Sequence, residues 1–319
     1  MPASKVKDFK AAVFRTATRD LVGEFKDRRP LRTGSLVISV FGDAVAPHGG
    51  AVWLGSLIDA LAPFGISQRL VRTSVFRLVK DGWLQSEQIG RRSYYSLTEE
   101  GVCRFTDASK RIYGEPDHDW NGDWCLALLG GVDALYREDI RKELSWLGFA
   151  PFSTNVLAHP APDTGSLDRR LARLPGNDEV LVMTARANDD RVRYLRELVH
   201  DAWALQELDD RYAEFLQRFR PVYKAARDTD LLEPELAFRV RTLLVHEYRK
   251  IQLRDPSLPS ALLPERWNGT AAYQLCRNIY TLVASPTEEF LTAHMETADG
   301  PLPPAEPGYS LRFGGLQSQ

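Results

Sequence analysis

Residues 67–101 read SQRLVRTSVFRLVKDGWLQSEQIGRRSYYSLTEEG, and this stretch decides the fold of the amino-terminal third of the chain. Ser67 is a residue type that caps helices, and the apolar and basic residues after it recur at helical spacing up to Lys80. Two short stretches rich in aromatic residues follow and pivot on Gly90, which is typical of a β-hairpin. Thr98 and the two glutamates after it predict the start of another helix. The stretch therefore predicts a helix, a hairpin and a second helix.

Two short apolar helices are predicted in front of this stretch, over residues 35–46 and 52–62, because proline and glycine close each of them. The complete order is helix, helix, helix, strand, strand, helix. That order describes a winged helix-turn-helix, in which the third helix enters the major groove of DNA. We therefore assign residues 31–115 to a DNA-binding domain and residues 1–30 to an amino-terminal arm or helix.

The third helix has an apolar half, which would dock on the two preceding helices, and an opposite basic half. Arginine can bond a guanine edge through two hydrogen bonds, and the threonine methyl group suits the thymine methyl group. The alternative is an amphipathic helix whose basic face is only solvated. The position of the third helix directly in front of a hairpin favours DNA binding over this alternative. The residues of the basic half that we expect to meet DNA are Arg69, Arg72, Thr73, Arg77 and Lys80.

The hairpin tip carries two further arginines, Arg91 and Arg92, directly after Gly90. Such a wing can reach a phosphate or a minor groove, whereas the alternative is a solubilising turn. Tyr94 follows in the second strand. Phe76 stands on the polar side of the third helix, and we expect it to pack under the hairpin.

The net charge of −2 hides an asymmetry along the chain. Residues 1–97 contain 15 Lys/Arg and 8 Asp/Glu, a net charge of +7, and the remaining residues therefore carry −9. A basic segment on an acidic chain indicates that this segment meets a polyanion such as DNA. A charged surface without a partner is the alternative.

Beyond the basic segment, strands and helices alternate over residues 120–190, which we predict to form a ferredoxin-like α/β domain. Strands are expected at 124–130, at 148–157 and in the run EVLVMTA after Asn177. Long helical patterns then fill residues 191–298, with a helix break between 284 and 286, and the Pro- and Gly-rich residues 299–319 predict a flexible tail. The chain as a whole is predicted to be α+β.

Two separate blocks of the sequence resemble the PaaX family, the repressors of bacterial phenylacetate-degradation operons. The first is VRTSVFRLVKDGWL followed by GRRSYYSLTEEG, and the second is LVHEYRKIQLRDPSLPSALLPERWNG at residues 244–269. The resemblance implies a homodimer that binds double-stranded operator DNA and is released by phenylacetyl-coenzyme A. Positions that match the family's DNA-binding block are Arg72, Thr73, Arg77, Arg91, Arg92 and Tyr94.

The second block also suggests where an acyl-coenzyme A effector would bind. Arg239, His246 and Lys250 fall on one stripe of a predicted helix and could pair with the phosphates of coenzyme A. Trp267 and Tyr273 could line an apolar pocket for the phenylacetyl group. A charged outer face and a packed aromatic stripe are the alternative. Another helix residue, Glu247, lies among apolar positions, so we expect it either to pair with an arginine such as Arg241 or Arg254, or to have a raised pKa.

Other classes of protein fit the sequence less well. A ferredoxin-like, metal-dependent nuclease would need an aspartate at the end of its first strand, where this chain has Gly130 and Gly131 and places Asp133 only at the following helix. A repressor of the same architecture that responds to another acyl-coenzyme A or an aromatic acid remains open. Because the three cysteines are scattered, the histidines do not cluster and no apolar run approaches about 20 residues, we expect a cytoplasmic regulator without cofactor, metal or membrane span.

Overall fold

The computed structural model describes residues 3–28, 33–116, 120–160, 164–186, 192–229 and 231–316. Its α-helices are α1 Ala3–Asp27, α2 Thr33–Val40, α3 Leu54–Leu61, α4 Gln68–Lys80, α5 Glu99–Tyr113, α6 Ala134–Trp146, α7 Thr164–Leu171, α8 Val192–Ala202, α9 Leu205–Arg227, α10 Pro234–Gln252 and α11 Asn268–His294. Its strands are β1 Ala51–Trp53, β2 Leu84–Ile89, β3 Arg92–Leu97, β4 Asp123–Leu128, β5 Ala150–Ser153, β6 Val156–His159, β7 Leu181–Arg186, β8 Glu296–Thr297 and β9 Gly300–Pro301. Helices and antiparallel sheets therefore combine in one chain, as an α+β composition requires.

The chain forms two compact units, and neither is one continuous segment. The first unit comprises Met1–Glu115, Ala213–Gln252 and Thr270–Gln319, and the second comprises Pro116–Tyr212 and Leu253–Gly269. The chain passes between the units four times: after Glu115, within α9, after Gln252 at the end of α10, and near the start of α11. The segment 191–298, which the sequence presents as one helical domain, therefore contributes residues to both units.

The amino-terminal part of the first unit has the predicted helices and hairpin in the predicted order, with one additional strand: β1 precedes α3, where the sequence predicted only a helix over 52–62. Helix α2 packs against α4, and strands β2 and β3, which lie between α4 and α5 in sequence, form a three-stranded antiparallel sheet with β1 in the order β1-β3-β2. Helix α2 continues as a π-helical turn, Phe41–Val45, before the chain turns at Gly49 with φ +83°. Gly42 in this turn faces α5 so closely that a Cβ atom would lie 2.7 Å from the ring of Phe105.

Helix α1 is a packed helix, which decides between the two structures predicted for residues 1–30. Its apolar stripe buries Phe14, Leu21 and Phe25, and the helix packs against α10. The ring of Phe25 meets His246 of α10 edge-on, with 5.8 Å between the ring centroids.

Two expectations about the carboxyl-terminal part of the first unit are wrong. Helix α11 runs through Pro286 without the break predicted there, because Val283, Leu291 and their neighbours are buried on both sides of the proline and hold the helix together. The segment 299–316 is not a loose tail, because Phe313 is completely buried and packs on Tyr280 at 5.2 Å.

The second unit contains a four-stranded antiparallel sheet with the order β5-β6-β4-β7. With α6 and α7 the elements follow the order β-α-β-β-α-β, the arrangement of a ferredoxin-like unit. The single strand predicted over 148–157 is in fact two, β5 and β6, since the chain turns between Ser153 and Val156 and pairs with itself. Ile140 and Leu144 of α6 pack on one side of the sheet with Leu157.

Candidate nucleic-acid interface

Helix α4 is fixed by the cap and the apolar stripe that the sequence predicts. The side chain of Ser67 accepts a hydrogen bond from the backbone N–H of Leu70 at 3.4 Å, as an N-cap does. Val71, Val75 and Leu78 are buried. The helix is thus held by its inner face, and its outer face is free to carry charge.

The outer face of α4 is exposed and cationic. Thr73 donates its hydroxyl to the backbone oxygen of Arg69 at 2.9 Å. None of the four cations on this face makes an ion pair with any described residue. The exposed residues are Arg69, Arg72, Thr73, Arg77 and Lys80. Guanidinium and ammonium groups without internal partners are available to an external anion.

Two apolar side chains of α4 lie elsewhere than predicted. Phe76 is 69% exposed and does not pack under the hairpin. It stands in the middle of the cationic face, four residues after Arg72 and four before Lys80. Leu70, which helical periodicity predicts on the apolar half that docks on the preceding helices, is 44% exposed, because the inner face of the helix is narrower than half of its circumference.

The hairpin of β2 and β3 turns tightly at Gly90 and Arg91. Gly90 has φ +61°, and glycine at the first position of a two-residue turn lets the strands keep their natural twist. Ile89 pairs with Arg92 at the end of the ladder, so Arg91 stands at the tip, where it is exposed. Tyr94 is half-buried in the central strand β3, opposite both Trp53 and Glu87.

Arg92, unlike Arg91, is engaged within the protein. Its guanidinium lies 4.2 Å from the ring centroid of Trp53 and donates a hydrogen bond of 2.6 Å to the carboxylate of Glu296. The hydrogen bonds to Tyr94 and Glu296 raise the pKa of Arg92. Sequence reasoning did not find Glu296, because 204 residues separate the two partners.

The first unit also contains a buried charged cluster that the sequence analysis missed. Asp43, in the π-helical turn, accepts hydrogen bonds from Tyr113 at 2.8 Å and from Tyr280 at 2.9 Å. Arg241 and Arg312 bind the same carboxylate at 2.8 and 2.9 Å. A lone carboxylate inside the apolar run SLVISVFGDAVA was the available hint, since a buried charge needs partners.

The charges of this cluster stabilise each other. Burial favours the neutral form of Arg241, but Asp43 together with Tyr280, Tyr309 and Glu288 outweighs burial and keeps the pKa of Arg241 well above its usual value. Burial likewise raises the pKa of Glu288, but hydrogen bonds from His48 and Arg241 lower it to about 2. The cluster joins α10, α11 and the carboxyl-terminal segment to the π-helical turn.

The residues predicted to bind an effector do not form one exposed cationic stripe. His246 is 3% exposed, hydrogen-bonded to the Ser39 hydroxyl at 2.9 Å, and burial lowers its pKa to about 3, so it is neutral. Arg239 pairs with Glu235, and Lys250 reaches Glu247 at 3.4 Å.

The two aromatic residues predicted for the effector pocket lie in different units. Tyr273 belongs to the first unit, packs near Phe313 at 5.8 Å, and has a buried hydroxyl without a hydrogen-bond partner among the described residues. Trp267 belongs to the second unit and packs edge-on against Tyr212 at 5.6 Å. Each residue thus has a packing role in its own unit.

Glu247 is paired, as predicted, but with other partners. Its carboxylate binds Arg28 at 2.9 Å, Arg218 at 3.4 Å and Lys250 at 3.4 Å, whereas Arg241 belongs to the Asp43 cluster. Burial alone would raise the pKa of Glu247, but the surrounding cations hold it below its usual value. Of the two expectations for this residue, pairing is confirmed and a raised pKa is wrong.

Asp133, the candidate metal ligand of a nuclease, has a structural role in this chain. Asp133 accepts a hydrogen bond from the backbone N–H of Leu135 at 2.8 Å and so caps α6. Within the described ranges, no three His, Cys, Asp or Glu side chains are grouped closely enough to hold a metal ion. The helices of the described chain include none that is both long and apolar enough to cross a bilayer.

An unpaired basic helix face beside a basic hairpin is typical of proteins that bind nucleic acid. Comparison with protein families narrows this class. The chain matches "PaaX-like protein" over residues 32–101, "PaaX protein central Cas2-like domain" over 117–196 and "PaaX-like protein C-terminal domain" over 203–293. The chain belongs to the PaaX family, which confirms the resemblance seen in its two sequence blocks.

A curated relative supports the same assignment. "Transcriptional repressor PaaX" of Escherichia coli (strain K12) is 39% identical over 289 residues, which cover 90% of this chain and 92% of that protein. This relative is a transcriptional regulator and not an enzyme. Among solved structures, "Uncharacterized protein Rv0674 from Mycobacterium tuberculosis" has a TM-score of 0.48 at 22% identity and covers 74% of this chain and 89% of its own.

Proposed function

We propose that this protein represses transcription by holding operator DNA with a winged helix-turn-helix formed by residues 31–115. In this proposal α4 is the recognition helix and the β2–β3 hairpin is the wing. The two preceding helices, α2 and α3, support α4. The observation that carries the proposal is the exposed face of α4, whose four cations have no ion-pair partner in the described chain. A protein that acts on chromosomal DNA works in the bacterial cytoplasm.

The expected contacts divide into two kinds. Arg72, Arg77 and Thr73 lie where a major-groove helix meets base edges and would read sequence. Arg91 at the wing tip would bind a phosphate, which positions the protein without reading sequence. The remaining predicted contacts to the DNA backbone come from Arg69, Lys80, Arg92 and Tyr94.

The regulated genes and the effector are proposed from what the family resemblance implies. We propose that the protein controls a phenylacetate catabolic operon and is released by phenylacetyl-coenzyme A. An effector can release DNA only if it binds the DNA-incompetent state more tightly, so each ligand must weaken the other by the same factor.

A gel-shift titration tests the proposed function. The probe is DNA from upstream of the phenylacetate catabolic operon of the same organism, titrated with phenylacetyl-coenzyme A, with free phenylacetate and with acetyl-coenzyme A. We expect retardation of the probe and its reversal by phenylacetyl-coenzyme A alone. Reversal by acetyl-coenzyme A or by the free acid would show that phenylacetyl-coenzyme A is not the specific effector. Absence of retardation at low salt would refute DNA binding.

The effector site stays a proposal with a changed set of residues. Arg239 and Lys250, with side chains 25% and 41% exposed, remain candidates for phosphate contacts, whereas the neutral, buried His246 would act by positioning α10. Trp267 and Tyr273 remain candidates for apolar contacts within their own units. The double variant Arg239→Ala/Lys250→Ala should bind DNA normally and bind phenylacetyl-coenzyme A more weakly by calorimetry.

A homodimer is proposed as well, and the edge strand β7 supports it. Strand β7 pairs with β4 on one side, and its other edge pairs with no strand of the described chain. Leu181, Val182 and Met183 follow each other on this strand and are 57%, 38% and 44% exposed. An exposed apolar edge is a template for strand pairing, and antiparallel pairing with a second copy satisfies two-fold symmetry.

A further inference from the structure

The two neighbouring arginines of the hairpin have opposite environments. Arg91 is exposed at the tip and forms no ion pair with any described residue. Arg92 lies over the ring of Trp53 at 4.2 Å and binds Glu296 at 2.6 Å. One arginine is thus free for an external anion, while the charge of the other is already neutralised by the protein.

The carboxylate that neutralises Arg92 is held in place by its own backbone. The N–H of Glu296 donates to the hydroxyl of Ser56 in α3 at 3.1 Å. The preceding Met295 is completely buried, and its carbonyl oxygen accepts a hydrogen bond from the N–H of Leu302 at 3.0 Å. Strand β8, which begins at Glu296, packs beside β1 of the hairpin sheet. Glu296 therefore reaches Arg92 from a fixed position.

We propose that Glu296 is a positioning residue that restrains DNA affinity by competing with phosphate for Arg92. This proposal rests on the proposed function, because it assumes that the hairpin meets DNA. Both partners of the pair are about half exposed, so water and phosphate can reach it. A phosphate that approaches Arg92 must displace a carboxylate and then lies next to a negative charge. Since backbone contacts are independent of sequence, the pair lowers affinity for all DNA and leaves discrimination to α4.

Glu87 provides a matched control for the general effect of charge. It is exposed on β2 directly opposite Tyr94, on the same sheet face as Arg92, and no ion pair joins it to a described residue. The variants Glu296→Gln and Glu87→Gln remove the same charge from the same region. Only the first of them frees Arg92, so the difference between them isolates the competition.

The test measures binding to a labelled duplex of random sequence, about 30 base pairs long, by fluorescence anisotropy across a salt series. The expected result for Glu296→Gln is about a three- to tenfold gain in affinity at low salt. Its plot of log affinity against log salt should steepen by about 0.9, the contribution of one added phosphate contact. Glu87→Gln should raise DNA affinity less than twofold and leave the salt slope unchanged. When Arg92 is also replaced by alanine, Glu296→Gln should no longer raise the affinity.

Equal gains for Glu296→Gln and Glu87→Gln would overturn the proposal, as would a gain that persists without Arg92. Glu296→Asp is a second variant for the case that the amide disturbs folding. It keeps the charge but shortens the side chain by one methylene group, so it should show an intermediate affinity and the steeper slope. If the unmodified protein binds no DNA, the proposed function fails, whereas normal binding by all variants refutes only the role of Glu296.

Discussion

Asp43 and Arg241 form a buried ion pair in which the guanidinium Nε donates to the carboxylate Oδ2 at 2.8 Å. The side chains are 5% and 1% exposed, and the two residues are 198 positions apart in the chain. The pair fastens α10 to the end of α2, and therefore joins the carboxyl-terminal helices to the segment that carries the proposed DNA-binding face.

The variant Asp43→Asn should destabilise the first unit strongly. It leaves Arg241 and Arg312 buried with less compensating charge, and breaking a buried pair costs about 3–5 kcal/mol. Urea denaturation would measure the loss in the free energy of unfolding. Tyr113→Phe is the control, because it removes only one hydroxyl, which donates to the same carboxylate, and should cost about 1 kcal/mol. Equal, small losses for both variants would contradict the central role of the cluster.

Local patterns predicted the part of the fold on which the DNA-binding proposal depends. The cap at Ser67, the stripe of α4 and the turn at Gly90 are set by residues close in sequence, so periodicity and turn chemistry reveal them. Asp43 and Glu296 could not be assigned in this way, since their partners lie about 200 positions away. Pro286 misled the prediction for a related reason, because tertiary packing holds the helix on both sides of it.

The stability of the protein should fall as the pH falls below about 6.5. His246 is buried and neutral, with its pKa lowered to about 3, whereas an unfolded histidine keeps a pKa near 6.5. Between these two pKa values the unfolded state binds one proton more than the folded state. Each pH unit of acidification in this range therefore removes about 1.4 kcal/mol of stability, and above pH 6.5 this loss is absent. Thermal or urea unfolding between pH 4 and 8 should show the decline.

The variant His246→Asn should flatten that decline, because asparagine does not titrate in this range. His200→Gln, a change at an exposed histidine that pairs with Asp201, is the matched control and should keep the slope of the unmodified protein. A slope that is the same in all three proteins would rule out His246 as its source.

The proposed dimer should depend on the edge of β7. Met183→Asp would place two like charges near the two-fold axis and should raise the dimer dissociation constant at least about tenfold. Sedimentation equilibrium measures this constant. Leu135→Asp, a change at an exposed apolar residue of α6, should leave it unchanged. If Met183→Asp dimerises as tightly as the unmodified protein, the interface lies elsewhere.

Phe76 should contact a thymine methyl group, because it is exposed in the middle of a cationic face that faces the major groove in the proposed complex. Replacing one contacted thymine by uracil removes only that methyl group and should cost the unmodified protein about 0.8 kcal/mol, roughly fourfold in affinity. Phe76→Ala should bind both duplexes equally. Leu70→Ala, on another side of α4, should still distinguish them, and a Phe76→Ala variant that distinguishes them as well would refute the contact.

The most direct test of sequence reading by α4 compares Arg72→Ala with the unmodified protein on operator DNA and on random DNA. Arg173→Ala, which removes an exposed charge in the second unit, is the control. We predict that Arg72→Ala loses about 1–3 kcal/mol on the operator and much less on random DNA, so that the preference for the operator shrinks, while Arg173→Ala changes neither affinity. An Arg72→Ala protein that keeps its full preference for the operator would contradict the account.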